Sequence, residues 1–484
     1  MPVRALFGPE GERSWSMVEA SWELELRRGI VVVVSDSAEA LAEGRARLAA
    51  RAPALHRLAP TAGLVEQLRG IPPASPLPVA WIEAPSGASP EEAWREALAA
   101  LNAQRDALGA GAPVFVVLAA PRAFTAFAPG RAPDLWAVLD LLADVGDITR
   151  PLAEGAAPVT LLHLSDLHLA GPLAYRQQAV LRDLTRDLPR LAGAAGIAPQ
   201  LLLVTGDLAF SGEKVQYEGA RAYLEELCGV LGIVPREGLF LVPGNHDAER
   251  KRVGLWLKPA QAALRKTRAA KDLQETTDAI FGDPAYLGQY GDRLTWYCET
   301  TERLLGAARS VTPSRPWRTD LVERGGLRLG IASLCSAWAC ATDEDHPVLG
   351  ERQAREALDE LDQAHAHLKL VLLHHPVEAL HPAERAALRG LLQARADLVL
   401  HGHVHEAGAA RMESVAGGLC VLGAGAAYDA HAEFPLGVTL ARLDPGAGRL
   451  EAQFLTWDAR AGGRWLPDGG IGPRAPGGRA SLPL

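Results

Sequence analysis

The sequence predicts an α/β protein of two domains, a smaller one over residues 1–152 and a larger one over 153–460, followed by a tail over 461–484. Short apolar runs alternate with longer amphipathic stretches, as strands and helices do in open, mostly parallel sheets. Hydrophobic residues make up 48% of the 484 residues, the usual share for a globular protein, which argues against disorder.

The smaller domain is expected to be a doubly wound sheet. The apolar runs at 29–35, 77–83 and 113–119 are continuous, which is typical of parallel strands that are buried on both faces. The stretches between them have helical periodicity. Ser37 is placed to cap the first helix, and glycines follow the second.

We expect no nucleotide site in the smaller domain. The turn after its first strand is Ser35-Asp36-Ser37-Ala38, which lacks the G-x-x-x-x-G-K-[ST] loop that holds phosphates. The prediction for residues 1–152 is therefore a docking or regulatory domain that can bind a protein partner.

The larger domain is predicted to contain an insertion and to end before a loose tail. Residues 248–325 separate two strand-like runs and are mostly helical in pattern, so they are expected to form a helical insertion. The tail over 461–484 is rich in Gly, Pro and Arg, which predicts a loose terminal arm.

Charge and cysteine content exclude several classes of protein. The net charge is −9, so the chain as a whole lacks the basic character of nucleic-acid binders. The five cysteines are widely spaced, which predicts buried thiols in a reducing compartment. The first residues lack the apolar core of a signal peptide, and no apolar run approaches the ~20 residues of a membrane span. We therefore expect a cytoplasmic protein without membrane contact.

Candidate metal ligands follow five strand-like runs of the larger domain. The carboxyl ends of such strands converge on one crevice, so side chains placed there can share a site. Carboxylates, imidazoles and one amide, without a thiolate, suit two divalent ions. The segments are Asp166-Leu167-His168, Gly206-Asp207, Gly244-Asn245-His246-Asp247, His374-His375-Pro376 and Gly402-His403-Val404-His405.

The order and internal spacing of these segments, D-x-H, GD, GNH[DE], H-x-P and GH-x-H, resemble the signature of the calcineurin-like metallophosphoesterases. The resemblance covers most of the larger domain. It implies a four-layer αββα sandwich, two divalent ions and attack on a phosphoester by a hydroxide that bridges them. A metal bound only for folding fits poorly, because structural sites are closed and usually built from Cys and His. The ligand types do not distinguish Mn, Fe, Co, Ni and Zn.

The resemblance also implies a role for each ligand. Asp207 is expected to bridge the ions, since a carboxylate does so without added bulk. The loop at 402–405 is expected to be turned, so that its two histidines reach different ions. The remaining ligands are Asp166, His168 and His405 for the first ion, and Asn245, His374 and His403 for the second.

Two residues of the GNHD segment are predicted to be catalytic. The resemblance implies that His246 faces the substrate, bonds a phosphoryl oxygen and protonates the leaving oxygen. Asp247 is expected to orient the His246 ring, and His375 is a candidate for contact with a ligand. Close backbone approach beside the ions is expected at Gly206, Gly244 and Gly402.

The substrate is open between three hypotheses. The segments SDLHLAG, GDLAFSG and LVPGNHD are similar to those of bacterial phosphodiesterases of the cyclic-nucleotide type, which favours a phosphodiester of a nucleotide, cyclic nucleotide or nucleic acid. A phosphomonoesterase or phosphoprotein phosphatase shares the same metal core. The third hypothesis is a signalling effector docked through residues 1–152, whose layout is similar to α/β modules fused to STAND-type NTPases in bacterial conflict systems.

A basic segment directly follows the GNHD motif. Residues 248–271 contain eight Lys or Arg against one acid, Glu249, in an otherwise acidic chain. A solvated helix face is the usual explanation of such a run. Its position beside the motif favours another, in which Lys251, Arg252 and Trp256 contact an anionic substrate such as a nucleic acid.

Overall fold

The computed structural model divides the chain into two compact units, Met1–Pro151 and Leu152–Leu484. Each unit has its own sheets and its own apolar core. The residues that the structure describes are 6–7, 9–23, 30–74, 76–84, 90–104, 114–146, 148–149, 157–170, 175–249, 251–252, 257–340, 346–414, 417–430 and 435–484.

The first unit is built from alternating strands and helices. Its elements are β1 (Leu6–Phe7), α1 (Pro9–Glu23), β2 (Ile30–Val34), α2 (Ala38–Ala49), β3 (Leu55–Leu58), α3 (Leu64–Arg69), β4 (Val79–Glu83), α4 (Pro90–Ala103), β5 (Phe115–Ala120), α5 (Phe124–Arg131), α6 (Pro133–Trp136), β6 (Leu141–Asp144) and β7 (Ile148–Thr149).

Five of these strands form an open parallel sheet in the order β3-β4-β5-β2-β6. Strands β2 and β5 are apolar throughout and buried, because α3 and α4 cover one face and α1 and α2 cover the other. Ser37 caps α2 by accepting a hydrogen bond from the Ala40 amide at 3.1 Å. The predicted doubly wound sheet is confirmed.

Arg122 joins the carboxyl ends of β2, β5 and β6. Its guanidinium donates to both carboxylate oxygens of Asp144, at 2.8 and 3.0 Å, and lies 3.3 Å from Asp36. Doubly wound sheets bind their ligands at this edge. Two carboxylates around one guanidinium disfavour phosphate here, because like charges repel. That the smaller domain binds no nucleotide tightly stays a prediction.

The second unit contains two sheets and the helices that cover them. Its elements are β8 (Val159–Leu164), α7 (Tyr175–Ala195), β9 (Leu201–Thr205), α8 (Lys214–Leu231), α9 (Pro235–Gly238), β10 (Leu239–Val242), α10 (Leu257–Lys266), α11 (Ala270–Gly282), α12 (Pro284–Gly291), α13 (Thr295–Leu305), β11 (Arg318–Arg324), β12 (Leu327–Ser333), α14 (Glu351–Gln363), β13 (Leu368–Leu372), α15 (Pro382–Arg395), β14 (Leu398–His401), β15 (Gly408–Ser414), β16 (Gly417–Gly423), β17 (Gly437–Asp444), β18 (Arg449–Asp458), β19 (Arg464–Pro467) and β20 (Arg479–Pro483).

The two sheets pack face to face, with helices on their outer sides. One has the order β10-β9-β8-β17-β18-β19, with β20 also paired to β18, and the other has the order β11-β12-β13-β14-β16-β15. Successive side chains of a strand point to opposite faces. Leu161 of β8 therefore joins Leu370 of β13 in the core between the sheets, whereas Leu162 packs in the core that includes the helices. The four-layer αββα arrangement is confirmed.

All five motif segments lie at the carboxyl ends of parallel strands. Strands β8, β9 and β10 are parallel neighbours in one sheet, and β13 and β14 are parallel neighbours in the other. The segments that begin at Asp166, Gly206 and Gly244 follow the first three strands, and those that begin at His374 and Gly402 follow the other two. The sandwich therefore brings the predicted ligands of both sheets to one end of the domain.

The predicted insertion is helical over α10 to α13. Its last residues form β11, which pairs with β12 at the edge of the sheet. Among the residues that the structure describes, no helix has both the length and the apolar content that crossing a membrane requires.

The prediction of a loose terminal arm was wrong. Residues of the tail form β19 and β20, and both strands pair with β18. The Trp465 side chain is fully buried, and its indole donates to the Val180 carbonyl at 3.1 Å. Its amide donates to the Asp187 carboxylate at 3.0 Å. Glycine and proline content suggested disorder, but one buried indole anchors the segment to α7.

Trp465→Ala is expected to destabilise the second unit by about 3–5 kcal/mol, since it removes a large buried side chain and leaves a cavity. Urea unfolding followed by circular dichroism measures the change. Arg464→Ala, at the exposed neighbouring position, is the matched control. Similar small effects of both substitutions would show that the tail is not anchored by Trp465.

Candidate metal centre

Five of the seven predicted ligands have a left-handed backbone. They are Asp166, His168, Asp207, His403 and His405, with φ between 46° and 70°. For residues other than glycine this conformation costs about 1–2 kcal/mol, so it persists only where the surrounding structure enforces it. The loop at 402–405 is turned as expected, with the Val404 amide donating to the Gly402 carbonyl at 2.9 Å.

Donor atoms of Asp166, His168 and His405 converge on one point. Oδ1 of Asp166 lies 3.6 Å from Nε2 of His168 and 3.3 Å from Nε2 of His405, and the two Nε2 atoms are 3.4 Å apart. Nitrogen and oxygen ligands lie about 2.0–2.2 Å from zinc, so two ligands at the tetrahedral angle are about 3.4 Å apart. The three donors therefore fit a shared divalent ion.

His374, Asp207 and Asn245 form a second group of donors. Nε2 of His374 lies 3.3 Å from Asp207 Oδ2 and 3.0 Å from Asn245 Oδ1. Its Nδ1 donates to the Thr205 carbonyl at 2.7 Å, which fixes the ring and directs Nε2 toward the donors. His403 adjoins the group, with its ring centre 5.2 Å from that of His374.

Asp207 lies between the two groups. It has a donor atom within 4.8 Å of donors of His168 and His246, and one within 4.8 Å of donors of Asp166 and His374. Its Oδ1 accepts a hydrogen bond from the His246 amide at 2.9 Å, and its Oδ2 faces His374. A carboxylate in this position can contact ions held by either group.

The family model of the calcineurin-like phosphoesterases matches residues 159–407, which include all five segments. The chain belongs to the calcineurin-like phosphoesterase family. Family membership is consistent with divalent-metal-dependent hydrolysis of phosphoesters. One relative, a cAMP/cGMP dual specificity phosphodiesterase of Mycobacterium tuberculosis, is 36% identical over 107 residues, which cover 22% of this chain and 32% of that protein.

Solved structures with similarity to the chain include three proteins of different kinds. A purple acid phosphatase from yellow lupin seeds is 12% identical over 68% of this chain and 54% of its own, with a TM-score of 0.39. A sulfate thiohydrolase from Thermus thermophilus is 16% identical over 65% and 57%, with a TM-score of 0.32. Vacuolar protein sorting 29 from Cryptosporidium parvum is 12% identical over 68% and 99%, with a TM-score of 0.29.

Electrostatics keep the two carboxylates of this phosphoesterase centre ionised. Burial opposes ionisation of Asp166, but the hydrogen bond from His405 and the neighbouring imidazoles hold its pKa well below the usual range. Burial acts likewise on Asp207, yet His374 lowers its pKa to about 2. Burial and the charge of His374 lower the pKa of His403 to about 4. Both carboxylates and the His403 imidazole are therefore deprotonated at neutral pH, the state that binds metals. Although burial opposes it, the charge of Asp207 raises the pKa of His374 to about 9, so this imidazole has to lose a proton before it binds an ion.

Three glycines leave room for the ligands of the phosphoesterase domain. A Cβ on Gly244 would collide with Oδ1 of Asp207, and one on Gly402 would collide with a serine hydroxyl. Gly206 has a φ of +99°, and its Cβ would collide with the His374 ring. The expected close approach of the backbone at these positions is confirmed.

His246 is held beside the first donor group by the backbone. Its ring is half-buried, and its Nδ1 donates to the Phe210 carbonyl at 2.6 Å. The ring centre lies 4.8 Å from that of His168. His246 is thus positioned at the predicted ligands, as its proposed contact with substrate requires.

Asp247 bonds to backbone amides and a tyrosine hydroxyl, and the prediction that it orients the His246 ring was wrong. Its carboxylate is fully buried. Both oxygens are engaged, because they accept hydrogen bonds from the amides of Leu208, Ala209 and Gly244 and from the Tyr217 hydroxyl. Asp247 therefore joins the GNHD segment to the GD segment, and the Phe210 carbonyl orients the ring instead.

Asp429 and Ser336 contact histidines of the site, and the sequence does not predict either contact. Oδ2 of Asp429 lies 3.3 Å from Nδ1 of His405, where a carboxylate fixes an imidazole. The Ser336 hydroxyl lies 2.8 Å from Nδ1 of His375, whose ring centre is 4.4 Å from that of His403. Asp429 is one acid among 58 and lies outside any motif, so its spacing carries no signal.

The basic segment is solvated where the structure describes it. Lys251 pairs with Glu213 at 2.7 Å, and both side chains are exposed. The Arg252 guanidinium lies 5.7 Å from the centre of the Trp296 ring. Trp256 lies outside the described residues. Contact of Lys251, Arg252 and Trp256 with a substrate stays a prediction.

Gly244→Ala is expected to reduce bound divalent metal several-fold and to destabilise the domain by about 1–3 kcal/mol, because the added Cβ displaces the Asp207 carboxylate. Elemental analysis and urea unfolding measure the two effects. Gly193→Ala in α7 is the matched control, since a Cβ there meets nothing within 4 Å. Unchanged metal content in Gly244→Ala would contradict the expectation.

Proposed function

We propose that the chain hydrolyses a phosphodiester of a nucleotide, a cyclic nucleotide or a nucleic acid, with two divalent ions as cofactors. The observation that carries the proposal is the meeting of two groups of donors at one buried carboxylate, Asp207. Two ions about 3.5–4 Å apart are the common arrangement for displacement at phosphorus.

The donor groups divide between the two ions. Asp166, His168 and His405 hold one, because their donors form a triangle with sides of 3.3–3.6 Å. His374, Asn245 and His403 hold the other, and Asp207 contacts both. When bound, the ions supply positive charge to the phosphoryl oxygens and make water acidic enough to attack near neutral pH. The carboxylate, imidazole and amide ligands are compatible with Mn, Fe, Co, Ni or Zn.

His246 is the residue that we propose to protonate the leaving oxygen. Its Nδ1 is bonded to the Phe210 carbonyl, so Nε2 is the nitrogen that donates to substrate. Its ring lies beside that of His168, so a phosphoester bound at the ions is within reach. General acid catalysis of this kind contributes about 10²–10⁴-fold to a rate.

A diester is preferred to a monoester because of the named activity of one relative. The Mycobacterium tuberculosis protein is named as a cyclic-nucleotide phosphodiesterase, and its similarity covers 107 residues. The same metal centre can serve a phosphomonoesterase or a phosphoprotein phosphatase. Docking of a partner on the first unit is a further possibility for regulation of the site.

The test is turnover by the purified full chain, reconstituted with Mn, Fe, Co, Ni or Zn in turn. The substrates are bis- and mono-nitrophenyl phosphate, cyclic nucleotides and single-stranded oligonucleotides. A higher kcat/KM for diesters supports the proposal, whereas a higher value for monoesters assigns the alternative. Absence of turnover on every substrate would favour an effector that needs its docking partner.

Asp207→Asn is expected to lower the content of both ions and to abolish turnover, since the carboxylate serves both groups of donors. Elemental analysis beside the rate assay checks both effects. Asp272→Asn, at an exposed position on α11, is the control and should leave both unchanged. Near-normal metal content in Asp207→Asn would refute the bridging role.

His246→Asn is expected to retain both ions and to lose about 10²–10⁴-fold in kcat, because it removes the proton donor and no ligand. Metal analysis distinguishes this result from damage to the centre. The loss should be smaller on bis-nitrophenyl phosphate, whose leaving group needs no proton. An equal loss on good and poor leaving groups would mean that His246 does not act as an acid.

A further inference from the structure

Phe210 exposes an aromatic ring at the metal centre. Its relative exposure is 49%, whereas every other phenylalanine whose burial the structure describes is buried or half-buried. Val404, which lies between His403 and His405 in the sequence, is 39% exposed. Apolar surface is therefore present at a site whose other groups are charged or polar.

The backbone of Phe210 is fixed on both sides by the loops that carry ligands. Its amide donates to the Leu169 carbonyl at 3.0 Å, and its carbonyl accepts from Nδ1 of His246 at 2.6 Å. The ring centre lies 5.7 Å from that of His246 and 6.5 Å from that of His168. The ring is thus held next to the proposed proton donor.

Two roles are compatible with this position. A single exposed apolar side chain is common on protein surfaces, and the ring could serve only to support the two imidazoles. Support of that kind involves only the covered part of the ring, so it does not account for the exposure of the other part. A ring that is already fixed can also stack on a ligand at little cost in conformational entropy.

We propose that the Phe210 ring stacks on a planar heteroaromatic group of the substrate, so that the site selects phosphoesters of the nucleotide type. The inference rests on the proposed phosphoester hydrolysis. The planar group lies on the leaving-group side, because the ring adjoins His246. Stacking on an aromatic side chain tolerates every base. We therefore expect a preference for substrates with a base over substrates without one, and little preference among bases.

The experiment compares two substrates with the same scissile bond. One is adenosine 3′,5′-cyclic phosphate, and the other is methyl riboside 3′,5′-cyclic phosphate, in which a methoxy group replaces the base. Phe210→Ala in the full chain should lower kcat/KM for the first by about 5- to 100-fold, mainly through KM. The second substrate should change less than twofold. Phe210→Trp should restore the preference for the base.

Controls separate stacking from damage to the site. The Phe210 contact to His246 uses the backbone carbonyl, so substitution of the side chain leaves that bond available. Metal content is measured for each variant. Val234→Ala is the matched control, because Val234 is 53% exposed and precedes β10, at the end of the sheet opposite the ligands. It should change neither substrate.

Two outcomes would overturn the proposal. An equal loss on both cyclic phosphates would mean that the ring only supports His246, and no loss on either would mean that the ring contacts no substrate.

If the unmodified chain hydrolyses monoesters alone, the diester proposal fails, and adenosine 5′-phosphate with ribose 5-phosphate becomes the matched pair. If it hydrolyses neither class, equilibrium dialysis of the same two monoesters on the metal-loaded chain gives the preference directly.

Discussion

The loops that carry the candidate metal ligands depend on one buried carboxylate that is not itself among those ligands. Asp247 accepts hydrogen bonds from the amides of Leu208, Ala209 and Gly244 and from the Tyr217 hydroxyl. These bonds hold two loops from neighbouring strands in register. Five ligand residues adopt a backbone that costs about 1–2 kcal/mol each, and such strain persists only where neighbouring contacts enforce it. The hydrogen bonds to Asp247 are among those contacts, because they tie the loop after β9 to the loop after β10.

The sequence predicts which candidate ligands the structure brings together, because these side chains stand at the ends of strands. It predicts the residues that hold those ligands poorly, since their contacts are not local. The carbonyls of Thr205 and Phe210 have no side-chain signature, and Asp429 reaches His405 from a distant loop. The adjacency of Asp247 and His246 in the sequence suggests that they contact each other, but the structure gives Asp247 other partners. In a tight turn, adjacent side chains point apart, and the carboxylate turned toward the backbone of the neighbouring loop.

The fold also contains features that local sequence patterns do not predict. Apolar runs predicted the parallel sheet of the first unit and the strands that precede the five motif segments, since burial on both faces leaves a clear pattern. The glycines and prolines of the tail predict a loose arm, whereas the structure places two paired strands there. One residue, Trp465, anchors the segment despite that composition, because its indole is buried and both the indole and the backbone amide donate hydrogen bonds to α7. In the first unit, Arg122 pairs with Asp36 and Asp144 at the carboxyl ends of the strands, and no sequence motif predicts these contacts.

The groups that we propose for metal binding, for holding the proton donor and for substrate choice meet in one segment, GDLAF at 206–210. Asp207 supplies the carboxylate between the two donor groups, and the amides of Leu208 and Ala209 donate hydrogen bonds to the Asp247 carboxylate. The Phe210 carbonyl holds His246, and its ring is the exposed aromatic group of the site. A shift of this backbone would move all of these groups together. The Phe210 side chain is the exposed one of this segment, and its replacement leaves the backbone groups that bond Asp247 and His246 available. If the Phe210 ring stacks on substrate as we propose, substitution at this position changes substrate preference and leaves the candidate metal ligands and His246 in place.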